Sequence, residues 1–372
     1  RYLLSQVRPV PSGHAAAIAS VSENDQWTGA HENATFDERT RRSGMERVTS
    51  GNGETIKIIS GLPLTPEQLN AIREAGGELL IDDAASDEDR AVEQAGLAEV
   101  WFGPGLTPRA LRAAQRLRWL QTASVGVEYF LFPELVASSV EITSVRHRHT
   151  PAAEHALALL LAIARQLPRM VRQQEAREWE MPLPSEVLSV SGARALIVGT
   201  GQIGTAVASR AAAFDMICAG VNRSGHAAAG FTKTYPARDL AAAVEEVDYV
   251  INCCPLTPET KGLFSKTVFR AARHGVVFVN VGRGKTVDQE ALLSALQSGQ
   301  VGAAGLDVFV DEPLPVDHPF WALPNVLITP HSAGVVPGVE VRQLGVDALL
   351  SNLPRFRARE PLIEPIDKVL GY

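Results

Sequence analysis

The stretch Ala195-Leu-Ile-Val-Gly-Thr-Gly-Gln-Ile-Gly204 constrains this chain more than any other. Its apolar residues 195–198 read as a buried strand that breaks at Gly199, and a helical apolar pattern follows over 203–214. With a strand before it and a helix after it, the spacing G-x-G-x-x-G points to a dinucleotide site. The three glycines have separate jobs. Gly199 permits the tight turn, Gly201 lets backbone approach a pyrophosphate, and Gly204 lets the helix pack close on the strand. The helix start, with Gln202 and Ile203, offers unpaired N–H groups and a partial positive charge to phosphate.

NAD sites usually carry an Asp or Glu at the end of the second strand, where it holds the adenine ribose. Here that strand, 216–221, runs into Asn222-Arg223-Ser224-Gly225, with no acid. A carboxylate would repel a 2′-phosphate, whereas Arg pairs with it and Ser donates to it. The expected cofactor is therefore NADPH, with NADH possible. Asn222, Arg223 and Ser224 are the expected contacts.

At 372 residues the chain has room for two domains, and alternating strand and helix signals make it α/β with parallel sheets. Residues 1–53 are rich in Ser, Arg, Asn, Glu and Gly and lack sustained periodicity, so they read as a poorly ordered extension without a catalytic role. Met45 is a candidate start for the ordered enzyme. Residues 54–150 together with 338–372 read as a substrate domain. Residues 151–337 read as a Rossmann domain entered by a linking helix. That helix is expected to begin at Pro151 with Thr150 as its cap, and to carry an apolar face through Ala156, Leu159, Leu160, Ile163 and Leu167. The last helix is expected from about 338 to 353.

A net charge of −7 gives no basic field for nucleic acid or an anionic membrane, and no apolar run is long enough to span a bilayer. Three cysteines (Cys218, Cys253, Cys254) form neither a disulfide framework nor a zinc spacing, which suits a reducing cytoplasm. His147, His149 and His155 lack acids or cysteines at ligand spacing, so no metal is expected. Trp101, Trp179 and Trp321 read as core residues rather than pocket walls.

Three charged residues follow strands in glycine- or proline-marked turns: Arg283, Glu312 and His331. The planar fork of Arg283 matches a carboxylate beside a carbonyl, as in a 2-oxo acid. A carboxylate such as Glu312 fixes the tautomer of a histidine and stabilises its imidazolium, which makes His331 a proton donor and acceptor. Reduction of a ketone by a nicotinamide needs such a polariser, acid and orienter together.

The chain resembles the D-isomer-specific 2-hydroxyacid dehydrogenase family, in its glyoxylate/hydroxypyruvate reductase-like branch. The resemblance rests on Gly199-Thr-Gly-Gln-Ile-Gly204, Pro255-Leu-Thr-Pro-Glu-Thr-Lys-Gly262, Val279-Asn-Val-Gly-Arg-Gly284, Gly305-Leu-Asp-Val-Phe-Val-Asp-Glu-Pro313 and Asn325-Val-Leu-Ile-Thr-Pro-His331, and it covers about residues 55–372. It implies two Rossmann-like domains, the substrate domain being discontinuous, and commonly a homodimer. By position it implies Arg283 on the substrate carboxylate and carbonyl, Glu312 on the imidazole, and His331 as acid/base. Ser124, Val125 and Gly126 would hold the substrate carboxylate. Cys254, Pro255, Thr260, Val281, Gly282 and Asp307 would line the cofactor. Two other readings stay open: a dinucleotide-sensing protein of the corepressor type, and a dehydrogenase of a non-carboxylate anion such as phosphite.

Overall fold

A computed structural model describes residues 55–145, 149–336 and 340–372. The expectations for 1–53, Met45, His147 and Pro337 lie outside the described residues.

Two parallel sheets organise the chain. The first takes strands β1 (Ile56–Ser60), β2 (Gly77–Ile81), β3 (Val100–Phe102), β4 (Trp119–Gln121) and β5 (Glu141–Thr143), in the order β2-β1-β3-β4-β5. Helices α1 (Pro66–Glu74), α2 (Glu88–Ala95), α3 (Pro108–Ala113) and α4 (Pro133–Ala137) connect them. Proline in the first turn of α1, α3 and α4 sets φ where no backbone donor is needed, and Thr65 and Thr107 cap α1 and α3 by accepting from Gln68 and Ala110.

Helices α5 (His149–Ala164) and α6 (Leu167–Ala176) lead into the second sheet. Its strands are β6 (Arg194–Val198), β7 (Ile217–Asn222), β8 (Lys233–Pro236), β9 (Tyr249–Asn252), β10 (Val276–Asn280), β11 (Val301–Leu306) and β12 (Val326–Ile328). Between them lie helices α7 (Gln202–Ala212), α8 (Leu240–Ala243), α9 (Lys266–Ala271) and α10 (Gln289–Gln297). The order is β12-β11-β10-β9-β6-β7-β8, so chain direction across the sheet reverses between β6 and β9. Open α/β sheets bind ligands at such a switch point, beyond the carboxyl ends of the strands. The glycine-rich turn after β6 stands there.

Alternation along the strands feeds two cores on each sheet. Leu196, Val198 and Val250 face one side of the second sheet, and Ala195, Ile197, Tyr249 and Ile251 face the other, where α5 packs. On the first sheet, Ile58, Val100, Phe102 and Trp119 pack under Val346, Leu349 and Leu353 of the last helix, α11 (Val341–Ala358). The tail then joins the edge of that sheet: Ile366 N–H donates to the Ile142 carbonyl at 2.8 Å, and Thr143 bridges Pro365.

Several local expectations are corrected. The linking helix starts at His149, so Thr150 is helical rather than a cap; Pro151 still lies in the first turn, where its missing N–H is harmless. Its apolar face ends at Ile163, because Gln166 turns left-handed (φ 57°) ahead of Pro168 and leaves Leu167 exposed. The last helix begins at Val341 and runs through Pro354 to Ala358, its final turns held down by buried Leu353 and Phe356. Trp101 is core, whereas Trp179 is 98% exposed and Trp321 half-exposed.

Candidate active site

The nucleotide end is built from backbone. Gly199 adopts φ +99°, and a Cβ there would stand 2.9 Å from the Cys254 nitrogen. A Cβ on Gly204 would come within 1.8 Å of the Gly199 carbonyl oxygen, so only glycine lets α7 start this close to β6. A Cβ on Gly201 would meet nothing within 4 Å, which leaves open space outside the helix start. No side chain caps α7, so the first N–H groups, those of Gln202 and Ile203 among them, face that space. The donor set and the room fit a pyrophosphate.

At the end of β7 the Asn222 side chain holds its own loop. Its Oδ1 accepts from Gly225 N–H at 2.7 Å and Ser224 N–H at 3.2 Å, and its Nδ2 donates to the His226 carbonyl and to Thr200 Oγ1. Asn222 therefore ties the ribose-side loop to the glycine turn. Arg223 and Ser224 are exposed, and the guanidinium makes no hydrogen bond or ion pair among the described residues. Glu259 lies across from it. A backbone hydrogen bond at Glu259, one from Thr257 and then the Arg223 charge hold that carboxyl below its ordinary value.

The other expected cofactor contacts are mostly engaged within their loops. Thr260 Oγ1 donates to the Pro255 carbonyl at 2.7 Å and fastens that turn. Cys254 is buried, its thiol donates to Asn252 Oδ1, and burial pushes it up to about 12. Val281 is buried as well, and Gly282 lies so close to Cys254 that a Cβ would fall 2.7 Å from its carbonyl oxygen.

The charged trio rises from three neighbouring strands, β10, β11 and β12, on their carboxyl edge. Glu312 and His331 meet: His331 Nδ1 lies 2.7 Å from Glu312 Oε2, and the other carboxylate oxygen accepts from Phe309 N–H at 2.8 Å. A carboxylate only accepts, so Nδ1 carries a proton and Nε2 is left facing outward. The Arg283 loop abuts the loop that leads to Glu312, since a Cβ on Gly284 would stand 1.9 Å from the Phe309 carbonyl carbon.

His331 itself sits at φ +50°, a left-handed conformation that costs an L-residue about 1 kcal/mol or more. Asp307 holds it there. The Asp307 carbonyl accepts from His331 N–H at 2.8 Å, and its carboxylate accepts from Ser332 N–H, Ala333 N–H and Thr329 Oγ1. Thr329 in turn accepts from His155 Nε2, which also lies 3.4 Å from Asp307 Oδ1. Asp307 is fully buried. Burial alone would raise its pKa, but the hydrogen bonds from His155, Thr329, Ala333 and Ser332 outweigh it and hold the carboxyl at about 2. Its lone pairs are turned to the His331 segment and to His155.

Arg283 has partners of its own. Its Nε donates to Glu128 Oε1 at 2.6 Å and its Nη1 to the Gly282 carbonyl at 2.8 Å; the two side chains are 24% and 16% exposed. Its Nη2 lies over the turn of Ser124, Val125 and Gly126, so closely that a Cβ on Gly126 would stand 2.0 Å from it. The Ser124 hydroxyl donates to the Gly126 carbonyl and shapes that turn. Beneath Arg283, buried Asn252, Asn280 and Thr286 form a closed network in which Thr286 Oγ1 donates to the Arg283 carbonyl at 2.6 Å. Sequence reading passed over Glu128, Thr329, Asn252, Asn280 and Thr286 and weighed His155 only against a metal site. The available signal was a polar residue closing an apolar strand, as in Tyr249-Val-Ile-Asn252 and Val276-Val-Phe-Val-Asn280.

Known proteins resemble this chain in sequence and in fold. Residues 157–333 match the family model described as D-isomer specific 2-hydroxyacid dehydrogenase, NAD binding domain. The glyoxylate reductase/hydroxypyruvate reductase of Mus musculus is 37% identical over 226 residues, which is 59% of this chain and 68% of that protein. Among solved structures, a D-isomer specific 2-hydroxyacid dehydrogenase family protein from Aeromonas salmonicida superposes with a TM-score of 0.71 at 31% identity, over 84% of this chain and 99% of the other. An NADPH-dependent glyoxylate/hydroxypyruvate reductase from Sinorhizobium meliloti, in complex with NADP and sulfate, gives 0.72 at 28% identity, over 86% and 100%.

Proposed function

The chain belongs to the D-isomer specific 2-hydroxyacid dehydrogenase family, and from that membership we propose that it reduces a small 2-oxo acid with NADPH. The observation that carries the reading is the Glu312–His331 pair on the strand edge beside Arg283. NADPH supplies the hydride. This chain's residues do the rest. Arg283 and the turn of Ser124, Val125 and Gly126 take the carboxylate and polarise the carbonyl, His331 delivers a proton from Nε2 to the developing alkoxide, and Glu312 steadies the imidazolium.

In this reading, residues 54–150 with 338–372 form the substrate domain and 151–337 the dinucleotide domain. Gly199, Gly201, Gln202, Ile203 and Gly204 hold the pyrophosphate, and Arg223 with Ser224 favours the 2′-phosphate. Glyoxylate and hydroxypyruvate, which the similar mouse and Sinorhizobium enzymes are named for, are the first substrates to try. A homodimer would cover the exposed apolar side chains of Val171, Trp179, Met181 and Leu183. The cytoplasm, which keeps thiols reduced, suits the free Cys253 and Cys254 beside the nucleotide turn.

The test is steady-state oxidation of NADPH and of NADH with glyoxylate, hydroxypyruvate, pyruvate and bulkier 2-oxo acids, in the wild type and in His331→Ala. We expect NADPH-dependent turnover on a small 2-oxo acid. His331→Ala should lower kcat by about 10²-fold or more, the range of one positioned acid/base, with NADPH binding retained. Tight dinucleotide binding without turnover would instead favour the sensing protein.

A further inference from the structure

We infer that Glu128 is a positioning residue for Arg283: its carboxylate, reaching from the loop after β4 to the loop after β10, holds the Nε edge of the guanidinium, so that the Nη2 edge is presented to an anionic substrate at the 124–126 turn. The inference rests on the function proposed above. Glu128 comes from the loop after β4 of the first sheet and Arg283 from the loop after β10 of the second, so their 2.6 Å contact joins the two halves at the expected substrate site.

A guanidinium offers five N–H donors in a rigid fork. Here the Nε side is engaged by Glu128 and the Nη1 side by the Gly282 carbonyl, and Nη2 lies against Gly126. The turn has been emptied to admit this arrangement. A Cβ at Gly126 would stand 2.0 Å from Arg283 Nη2 and 2.8 Å from Glu128 Oε2, so both charged groups rest on the bare glycine. Glu128 is mostly buried, so its charge is costly without its partner.

The pairing has a consequence that an ordinary structural ion pair lacks. With Arg283 present, the Glu128 charge is balanced and steers the fork. With Arg283 removed, a buried carboxylate is left beside the spot where the substrate carboxylate must land, and it repels it. Part of the damage in an Arg283 variant therefore comes from Glu128 and is removed by neutralising Glu128.

The experiment compares wild type, Glu128→Gln, Glu128→Ala, Arg283→Ala and the double variant Arg283→Ala/Glu128→Gln. The readouts are KM and kcat for glyoxylate, and the Kd of oxalate, an unreactive dianion, for the enzyme–NADPH complex. Glu128→Ala should raise the glyoxylate KM and the oxalate Kd by roughly tenfold, the worth of one charge-assisted hydrogen bond, and leave the Kd of NADPH within about twofold. Glu128→Gln, which keeps the shape and one acceptor, should fall between it and the wild type. The double variant should bind oxalate more tightly than Arg283→Ala alone. Unchanged KM and Kd in Glu128→Ala, or a double variant no better than Arg283→Ala, overturns the inference. If the wild type binds oxalate in this order of variants yet turns over no 2-oxo acid, the reaction proposed above fails and the pairing stands. A wild-type complex that binds no oxalate sinks both.

Discussion

In the proposed reading, cofactor choice turns on Arg223. Its guanidinium is exposed and without an ion pair among the described residues, and Asn222 fixes the loop that presents it. The Glu259 carboxylate, which feels the Arg223 charge, would oppose a 2′-phosphate placed beside it. Arg223→Ala should weaken NADPH by about tenfold or more and NADH by no more than about twofold, since only the first carries the phosphate that Arg pairs with. Fluorescence titration of both cofactors decides it; an equal loss would mean that Arg223 serves the loop and not the phosphate. At this scale the sequence was legible where chemistry depends on one residue type in a marked turn, as with Glu312 and His331. It was silent on partners brought from far along the chain. Glu128 and Arg283 are 155 residues apart, and His155 and Thr329 are 174 apart. No local pattern records such meetings.

Among elements, the segment after β12 shows how a strained position is held. Asp307 anchors residues 329–333 through two backbone N–H groups and a threonine, and its carboxyl is held at about 2 against an ordinary value of 3.8. A lowered folded-state pKa means stability that is complete above about pH 4 and is lost as pH falls toward 2. The shift corresponds to roughly 2 kcal/mol. Asp307→Asn keeps one acceptor but turns an NH₂ toward backbone donors, so it should destabilise the protein by about 2–4 kcal/mol at neutral pH. Urea unfolding at a series of pH values should show the gap between variant and wild type narrowing between pH 4 and 2. A gap that stays constant would show that the Asp307 charge does not stabilise the segment. The elements themselves were largely readable, because strand runs such as Ala195-Leu-Ile-Val198 and proline-started helices carry local signals. Boundaries failed where tertiary packing outweighed them: Leu353 and Phe356, buried on the first sheet, carry α11 past Pro354. β8 is absent from the sequence reading because Lys233-Thr-Tyr-Pro236 is an edge strand of mixed character.

At the scale of the whole molecule, a conspicuous surface among the described residues is the apolar run on α6 and the loop beyond it. Trp179 is almost wholly exposed, with Met181 and Leu183 beside it in sequence and Val171 on the helix before them. Exposed apolar clusters of this kind mark interaction surfaces. Trp179→Ser together with Met181→Ser should raise the dimer dissociation constant by about tenfold or more, since aromatic anchors dominate such interfaces. Sedimentation velocity across a dilution series checks it; a wild type that stays monomeric at high concentration removes the homodimer from the proposal.

The covering of the first sheet by α11 and the tail also sets a timetable. A ribosome delivers β1 to β5 early, yet the face formed by Ile58, Val100, Phe102 and Trp119 meets its cover only when residues beyond 341 have emerged. The nucleotide sheet, whose strands and helices are contiguous in the chain, is synthesised entire before that moment. The nascent protein therefore carries an unsealed first sheet through about two hundred residues of synthesis, from the end of β5 to α11. Its earliest strands are the last to be sealed.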